Sequence, residues 1–190
     1  MSHPWRSEPE IALLVPVATV EQAAAAAAAG AGLVDAGDDA ALVPAIRRAV
    51  SGVRVCGEHE DADLVRDADL AARTGAALIC PRAEAAEAAA RRGVAAGRIL
   101  VQAAPAGIEA VVRAGWPVLA DLEGGADLEG GADLGGAAGL ARTEAAAAVC
   151  AWLGASVLRT RHVAKVRRCA DMTESILGRR PPAWAVRGLA

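Results

Sequence analysis

Short β-prone segments alternate with alanine-rich helical segments along the chain, and this alternation constrains the fold more than any other feature. Seven apolar segments have strand propensity: 11–17, 32–37, 53–57, 77–81, 98–102, 117–122 and 156–160. The segments with high helix propensity lie between and after them: 20–29, 40–50, 62–74, 83–95, 108–114, 143–153 and 163–177. The alternation predicts a run of βα units.

The predicted strands are nearly continuous apolar runs, which is typical of parallel strands covered by helices on both faces. Glycines that can end a helix in a left-handed conformation follow the helical segments: Gly30, Gly52, Gly75, Gly97, Gly115, Gly154 and Gly178. We predict an α/β fold, a TIM-type (β/α) barrel of about seven parallel strands. The alternative is an open parallel α/β sheet. In both folds ligands bind where the strands end, so the residues after each strand are the candidate site.

Size and composition favour one domain. The chain has 190 residues, 54% of them hydrophobic, and we predict a single domain over 1–178 with an extended tail over 179–190. A net charge of −3, without interleaved basic and aromatic residues, predicts no nucleic-acid partner. Because the sequence has neither a signal-like N-terminus nor an apolar run of membrane-spanning length, we expect a cytoplasmic protein that does not bind membranes.

A glycine-rich repeat, DLEGGADLEGGADLGG at residues 121–136, interrupts the βα alternation. Its unit of six residues is too short for a solenoid and too rich in glycine to pack a core. Its acidic residues do not have the spacing of a calcium-binding loop. We predict a solvated loop.

The predicted strand ends carry few residues with a recognisable chemical pattern. Cys56, Glu58, His59 and Cys80 follow neighbouring strands, so a zinc site is geometrically conceivable, but their spacing matches no zinc signature. Buried reduced thiols beside an exposed Glu-His pair are the favoured interpretation. The sequence contains no glycine-rich nucleotide-binding loop and no Gly-x-Ser-x-Gly elbow. We therefore predict neither a metal nor a cofactor.

The C-terminal third shows a resemblance to a known family. RTEAAAAVCAWLGASVLRTRHVAKVRRCADM, residues 142–172, resembles the last helix, strand and helix of dihydropteroate synthases. Weaker matches occur in order at AGAGLVDAGDDAALVPAIRRA, GVRVCGEH, RRGVAAGRILVQAAP and AGWPVLADL. This family is an eight-stranded TIM-type barrel that joins a pterin pyrophosphate to p-aminobenzoate in folate synthesis. The resemblance covers residues 30–178 and implies that one βα unit is missing, near the single helix 83–95.

The resemblance implies an anion-binding or substrate-binding site at the last strand. Arg159 matches the arginine of the family's Arg-x-His, while Arg161 stands at the position of the histidine and His162 follows it. Alternation along a strand allows Arg159 and Arg161 to point to one side. Asp35 ends the second predicted strand and is the other candidate, either as an inward carboxylate or as a residue that orders the strand end. The alternative is that the cations only solvate the start of the following helix.

The pterin-binding residues of the family are absent. The positions that should hold its acidic, amide and lysine side chains carry Cys56, Cys80, Gln102 and the segment 119–122. A site without its hydrogen-bonding groups loses orders of magnitude in binding. The resemblance thus implies a dihydropteroate synthase-like protein of folate metabolism with weak or no synthase activity.

Two other functions stay open. One is a non-catalytic accessory or regulatory protein on the same fold. The other is a small phosphate-binding (β/α) enzyme, for which Glu58 is the only candidate base. The expected partners are a pterin pyrophosphate or another phosphate-bearing small molecule. A homodimer through the C-terminal helices is also expected, with a face formed by Trp152, Val163, Val166 and Ile176.

Overall fold

Eight parallel strands form a closed barrel in the computed structural model, which describes residues 10–122 and 137–180. The strands are β1 (Ala12–Pro16), β2 (Leu33–Asp35), β3 (Arg54–Cys56), β4 (Leu64–Val65), β5 (Ala77–Cys80), β6 (Ile99–Gln102), β7 (Val118–Asp121) and β8 (Val157–Arg159). Each strand pairs with the next in sequence, and β8 pairs with β1, where Leu14 lies opposite Arg159. The predicted TIM-type barrel is confirmed, and the open sheet is wrong.

The helices surround the barrel. They are α1 (Val20–Ala28), α2 (Leu42–Ala49), α3 (Ala68–Thr74), α4 (Ala83–Arg91), α5 (Ile108–Arg113), α6 (Ala137–Trp152) and α7 (Val163–Ile176). The glycine prediction is confirmed except at Gly97. Gly93 has the left-handed conformation instead, with a φ of 98°, because α4 ends at Arg91, earlier than predicted.

Alternate strand residues build two hydrophobic layers. One set fills the barrel interior: Ala12, Leu14, Leu33, Cys56, Leu64, Ala77, Ile79, Leu100, Leu119 and Val157. The residues between them, such as Leu13, Val34, Leu78 and Leu158, pack outward against the helices. Both faces of the sheet are therefore buried, as the continuous apolar runs predicted.

The predicted count of about seven strands is wrong, because β4 lies inside the segment predicted as helix 62–74. Two residues are too few to give a strand pattern in the sequence. Asp67 marks the true helix start, since its side chain accepts a hydrogen bond from the Leu70 N–H at 2.6 Å. The shortening therefore affects a helix: within the described residues, only the connection 57–63, without a helix, joins β3 to β4.

Asp63 takes over part of the hydrogen bonding that a longer β4 would provide. Parallel strands are ordinarily joined by about a dozen residues or more, commonly a helix. Here the Asp63 N–H donates to the Val55 carbonyl at 2.8 Å, and one carboxylate oxygen accepts from the Val55 N–H at 2.8 Å. The same oxygen accepts from Arg47 of α2 at 2.7 Å. The Asp63 side chain thus provides an acceptor for a backbone N–H of β3 and links this strand to α2.

Close packing on α2 also shapes this connection. A Cβ atom at Gly57 would lie 2.7 Å from a methyl carbon of Val43, which is fully buried on α2. Only glycine fits here without a displacement.

Parts of the chain lie outside the description. The repeat 121–136 is described only at Asp121 and Leu122, and the tail 179–190 only at Arg179 and Arg180. The predicted loop, tail and single domain over 1–178 stay predictions. Across the described residues, no helix has both the length and the apolar character needed to cross a membrane.

Candidate functional site

Charged side chains form a ring at the carboxyl-terminal mouth of the barrel. Leu33, Leu64, Leu100, Leu119 and Val157 face the interior, and the alternation brings the residues two positions later into the layer above them. These residues are Asp35, Arg66, Gln102, Asp121 and Arg159. Since the mouth of a (β/α) barrel is where such folds bind ligands, this ring is the candidate site.

Ion pairs link four of these side chains. One carboxylate oxygen of Asp35 accepts from Arg66 Nη2 at 2.8 Å and from Arg159 Nε at 3.3 Å. Arg159 Nη1 donates to Asp121 Oδ2 at 2.9 Å. The other Asp35 oxygen accepts from the Gly37 N–H at 3.1 Å. Asp35 is only 2% exposed, so its desolvation is compensated by charged donors.

The ring changes the acid-base properties of its neighbours. Burial, and next the charge of Asp35, raise the pKa of the Cys56 thiol to about 12. Burial acts to lower the pKa of Arg66, but the nearby Cys56, Asp35 and Glu58 outweigh it and raise that pKa. Cys56 is therefore an inert thiol at neutral pH, and Arg66 is permanently charged.

A small cavity of about 210 Å³ opens at the mouth. Its floor consists of Leu14, Ile79 and Leu119, and its walls of Arg66, Gln102, Asp121 and Arg159. This volume lies below the roughly 300–1,000 Å³ of pockets that hold drug-sized ligands. The mouth therefore has room for one small molecule.

Two further cavities lie outside the barrel interior. The larger one, of about 530 Å³, lies between β1 with α1 and the start of α7. A third, of about 230 Å³, lies beside α3 and α4 and includes Cys80 and Arg92. Arg66 and Ile79 line both the third cavity and the mouth cavity.

The structure separates the site residues that the sequence predicted. Arg159 and Asp35 point into the mouth and contact each other. Arg161 and His162 instead line the 530 Å³ cavity together with Lys165, so the shared orientation of Arg159 and Arg161 is wrong. β8 ends at Arg159, and strand alternation does not continue beyond it.

The conceivable zinc ligands are not brought together. Cys56 lies in the barrel interior, whereas Cys80 belongs to the outer layer. The Glu58 carboxylate accepts from the Arg66 N–H at 2.7 Å, and His59 Nδ1 accepts from the Asp61 N–H at 3.0 Å. Within 10–122 and 137–180, no three His, Cys, Asp or Glu side chains are placed to hold a metal ion.

Known proteins resemble this chain in sequence and in fold. "Inactive dihydropteroate synthase 2" of Mycobacterium leprae (strain TN) is 36% identical over 83 residues, which are 44% of this chain and 28% of that protein. The protein of the same name from Mycobacterium tuberculosis (strain H37Rv) is 40% identical over 80 residues, 42% of this chain and 25% of its own length. The solved structure of Mycobacterium tuberculosis Rv1207 superimposes with a TM-score of 0.73 at 25% identity and covers 93% of this chain and 95% of that one. The chain is a dihydropteroate synthase-like barrel.

The fold similarity extends beyond these mycobacterial proteins. The 7,8-dihydropteroate synthase from Vibrio fischeri ES114 matches the dihydropteroate synthase-like barrel with a TM-score of 0.74 at 14% identity, covering 91% of this chain and 95% of that one. The sequence matches to the two curated relatives span only about a quarter of the length of those proteins. No family model matches the chain.

Arg66 and Asp121 are members of the ring that the sequence did not assign to the site. Arg66 fell inside the segment predicted as a helix, and Asp121 fell at the start of the glycine-rich repeat that was predicted to be a solvated loop. The cap at Asp67 could have revealed Arg66, because a helix that starts at Ala68 leaves Leu64 and Val65 for a strand. In a dihydropteroate synthase-like barrel, the next residue then belongs to the mouth.

Proposed function

We propose that this dihydropteroate synthase-like protein of folate metabolism binds a small pterin-type molecule at the barrel mouth and has little or no synthase activity. The ion-pair ring carries the proposal, because its charges satisfy one another around a cavity of about 210 Å³. A synthase must hold two substrates side by side and stabilise a leaving anion. The mouth offers room for one small molecule and no uncommitted carboxylate within the ring.

Two observations support weak activity. The proteins from Mycobacterium leprae and Mycobacterium tuberculosis that match the sequence are named inactive. Glu58, the candidate base of the alternative phosphate-binding enzyme, is not among the described residues that line the mouth cavity, and its carboxylate accepts a backbone hydrogen bond from Arg66 at 2.7 Å. A pterin-type ligand is supported by a neighbouring fold: the dihydropteroate synthase from Coxiella burnetii was solved in complex with pteroic acid, with a TM-score of 0.67.

Calorimetric titration tests the ligand, and an activity assay tests the chemistry. We expect pterin to bind and p-aminobenzoate with pterin pyrophosphate to yield no measurable dihydropteroate. The gene should not rescue a folate auxotroph that lacks dihydropteroate synthase. Binding of pterin should weaken in Asp35→Asn and not in Asp69→Asn, an exposed carboxylate on α3 that pairs with Arg92 and does not belong to the ring. Rescue of growth would refute the loss of activity. If titration with pterin gives no heat of binding, the proposed ligand is refuted.

We propose that a phosphate-bearing molecule binds in the 530 Å³ cavity at the start of α7. Arg161, His162 and Lys165 line this cavity, and none of its described lining residues is acidic. Backbone N–H groups of the first turn add to the positive potential there. Titration of inorganic pyrophosphate should give one site that Arg161→Gln with Lys165→Gln removes. An unchanged isotherm in this double variant would contradict the proposal.

We propose that the protein forms a homodimer through α6 and α7. Trp152 and Ile176, both predicted for such a face, are 57% and 65% exposed, and Val149 and Met172 extend the patch. The predicted Val163 and Val166 do not belong to this patch, because both side chains are on the buried face of α7. Exposed apolar patches of this kind favour protein interfaces.

Light scattering during size-exclusion chromatography tests the dimer. The wild-type protein should elute with the mass of two chains, and Trp152→Glu should elute as one. Glu87→Lys, on the exposed face of α4, is the control and should remain dimeric. A wild-type monomer at concentrations of tens of micromolar would refute the dimer.

We also propose a cytoplasmic location, which the four unpaired cysteines support.

A further inference from the structure

The charges at the mouth include more acids than bases. Asp35, Asp121 and Glu58 contribute three carboxylates, whereas Arg66 and Arg159 contribute two guanidinium groups. We propose that Asp121 is an internal counter-anion that determines the ligand specificity of the mouth: it admits neutral and cationic polar ligands and keeps phosphate-bearing ligands away from Arg159.

The geometry of Arg159 carries this inference. Its Nε donates to Asp35 and its Nη1 donates to Asp121, so both of these nitrogens already have carboxylate partners. A phosphate oxygen that reaches Arg159 through the cavity must approach the Asp121 carboxylate closely, whether it binds the remaining N–H groups of the guanidinium or displaces Asp121 from Nη1. Arg66, the nearest second cation, is held by Asp35 at 2.8 Å. The Asp121 carboxylate and the phosphate would then lie close together, and like charges at such short range repel strongly.

Asp121, rather than Asp35, is the specificity residue because it lines the cavity. The side chain of Asp121 is 16% exposed and forms part of the cavity wall. Asp35 is almost completely buried and holds Arg66, Arg159 and the Gly37 N–H. Its removal would disturb the ring itself, whereas a change at Asp121 alters the charge presented to a ligand.

The inference rests on the proposed function only in taking the mouth as the ligand site. Its test uses inorganic pyrophosphate, which reports on Arg159 whether or not pterin binds. Calorimetry should show that Asp121→Asn binds pyrophosphate at the mouth at least about tenfold more tightly than the wild-type protein does. If pyrophosphate also binds at Arg161 and His162, the stoichiometry should rise from one to two.

Matched variants isolate the cause. Asp38→Asn makes the same change of charge on the exposed loop after β2 and should behave as the wild-type protein. Asp121→Asn combined with Arg159→Gln should lose the added site. Asp121→Ser gives a second neutral side chain, and circular dichroism verifies that each variant is folded. The inference is overturned if both neutral variants bind pyrophosphate as the wild-type protein does, or if the added site persists without Arg159.

Discussion

Replacement of Asp63 by alanine should destabilise the barrel, because this side chain supports the connection without a helix between β3 and β4. The substitution leaves the Val55 N–H without an acceptor, and Val55 is fully buried. Such an orphaned donor costs about 1–3 kcal/mol. The ion pair with Arg47 is also lost, but its side chains are 44% and 31% exposed, so solvent screening limits its contribution to about 0–1 kcal/mol.

The expected loss is therefore about 1–4 kcal/mol in the free energy of unfolding. Urea denaturation followed by circular dichroism measures it, with an unchanged m-value. For a chain of this length, the melting temperature should fall by roughly 2–4 °C for each kcal/mol lost.

Two controls separate the contributions. Asp61→Ala removes a neighbouring carboxylate that is 60% exposed and contacts His59, and its cost should stay below about 0.5 kcal/mol. Arg47→Ala removes only the ion pair and should cost under about 1 kcal/mol. If Asp63→Ala proves no more damaging than Asp61→Ala, the role assigned to the carboxylate is refuted.

Two further predictions concern buried groups, namely the thiols of Cys56 on β3 and Cys150 on α6, and the contact of Gly57 with α2. Burial raises the pKa of the Cys56 and Cys150 thiols from 9.0 to about 12 and about 11; between pH 9 and 11 the unfolded thiols therefore lose protons that the folded ones keep. The midpoint of urea denaturation should therefore be constant below pH 9 and fall above it, because the unfolded state alone then loses thiol protons. If a Cys56→Ala, Cys150→Ala variant shows the same fall as the wild-type protein, these two thiols are not its cause. Gly57→Ala should lower the free energy of unfolding by about 1–3 kcal/mol, because the added methyl group meets Val43. Adding Val43→Ala should recover part of this loss. If urea denaturation shows that the effects of the two substitutions simply add, the contact is not the cause.

The sequence was informative wherever a strand is long enough to show its pattern. β1, β5 and β6 fall within the segments 11–17, 77–81 and 98–102, and their continuous apolar character correctly predicted burial on both faces. β4 was missed, because Leu64 and Val65 are surrounded by residues that favour a helix. Local propensity competes with tertiary pairing, and here pairing with β3 and β5 prevails.

The candidate site was predictable only in part. Arg159 lies at the mouth, as the resemblance to the Arg-x-His at the end of the family's last strand implied. Arg66, which binds the same Asp35 carboxylate as Arg159, was not expected there, since the sequence gives no indication of the short β4. The ion pairs with Asp35 and Asp121 join residues 124 and 38 positions away from Arg159. Pairings of this kind depend on the closure of the barrel, which no local pattern encodes.

The position of Arg66 has a practical consequence for engineering. Its side chain contributes to the walls of both the mouth cavity and the cavity beside α3 and α4. A smaller residue at this position would enlarge both cavities at once. Residue 66 is therefore the first position to change in order to accommodate a larger ligand, while the pairing of β1 with β8 keeps the barrel closed.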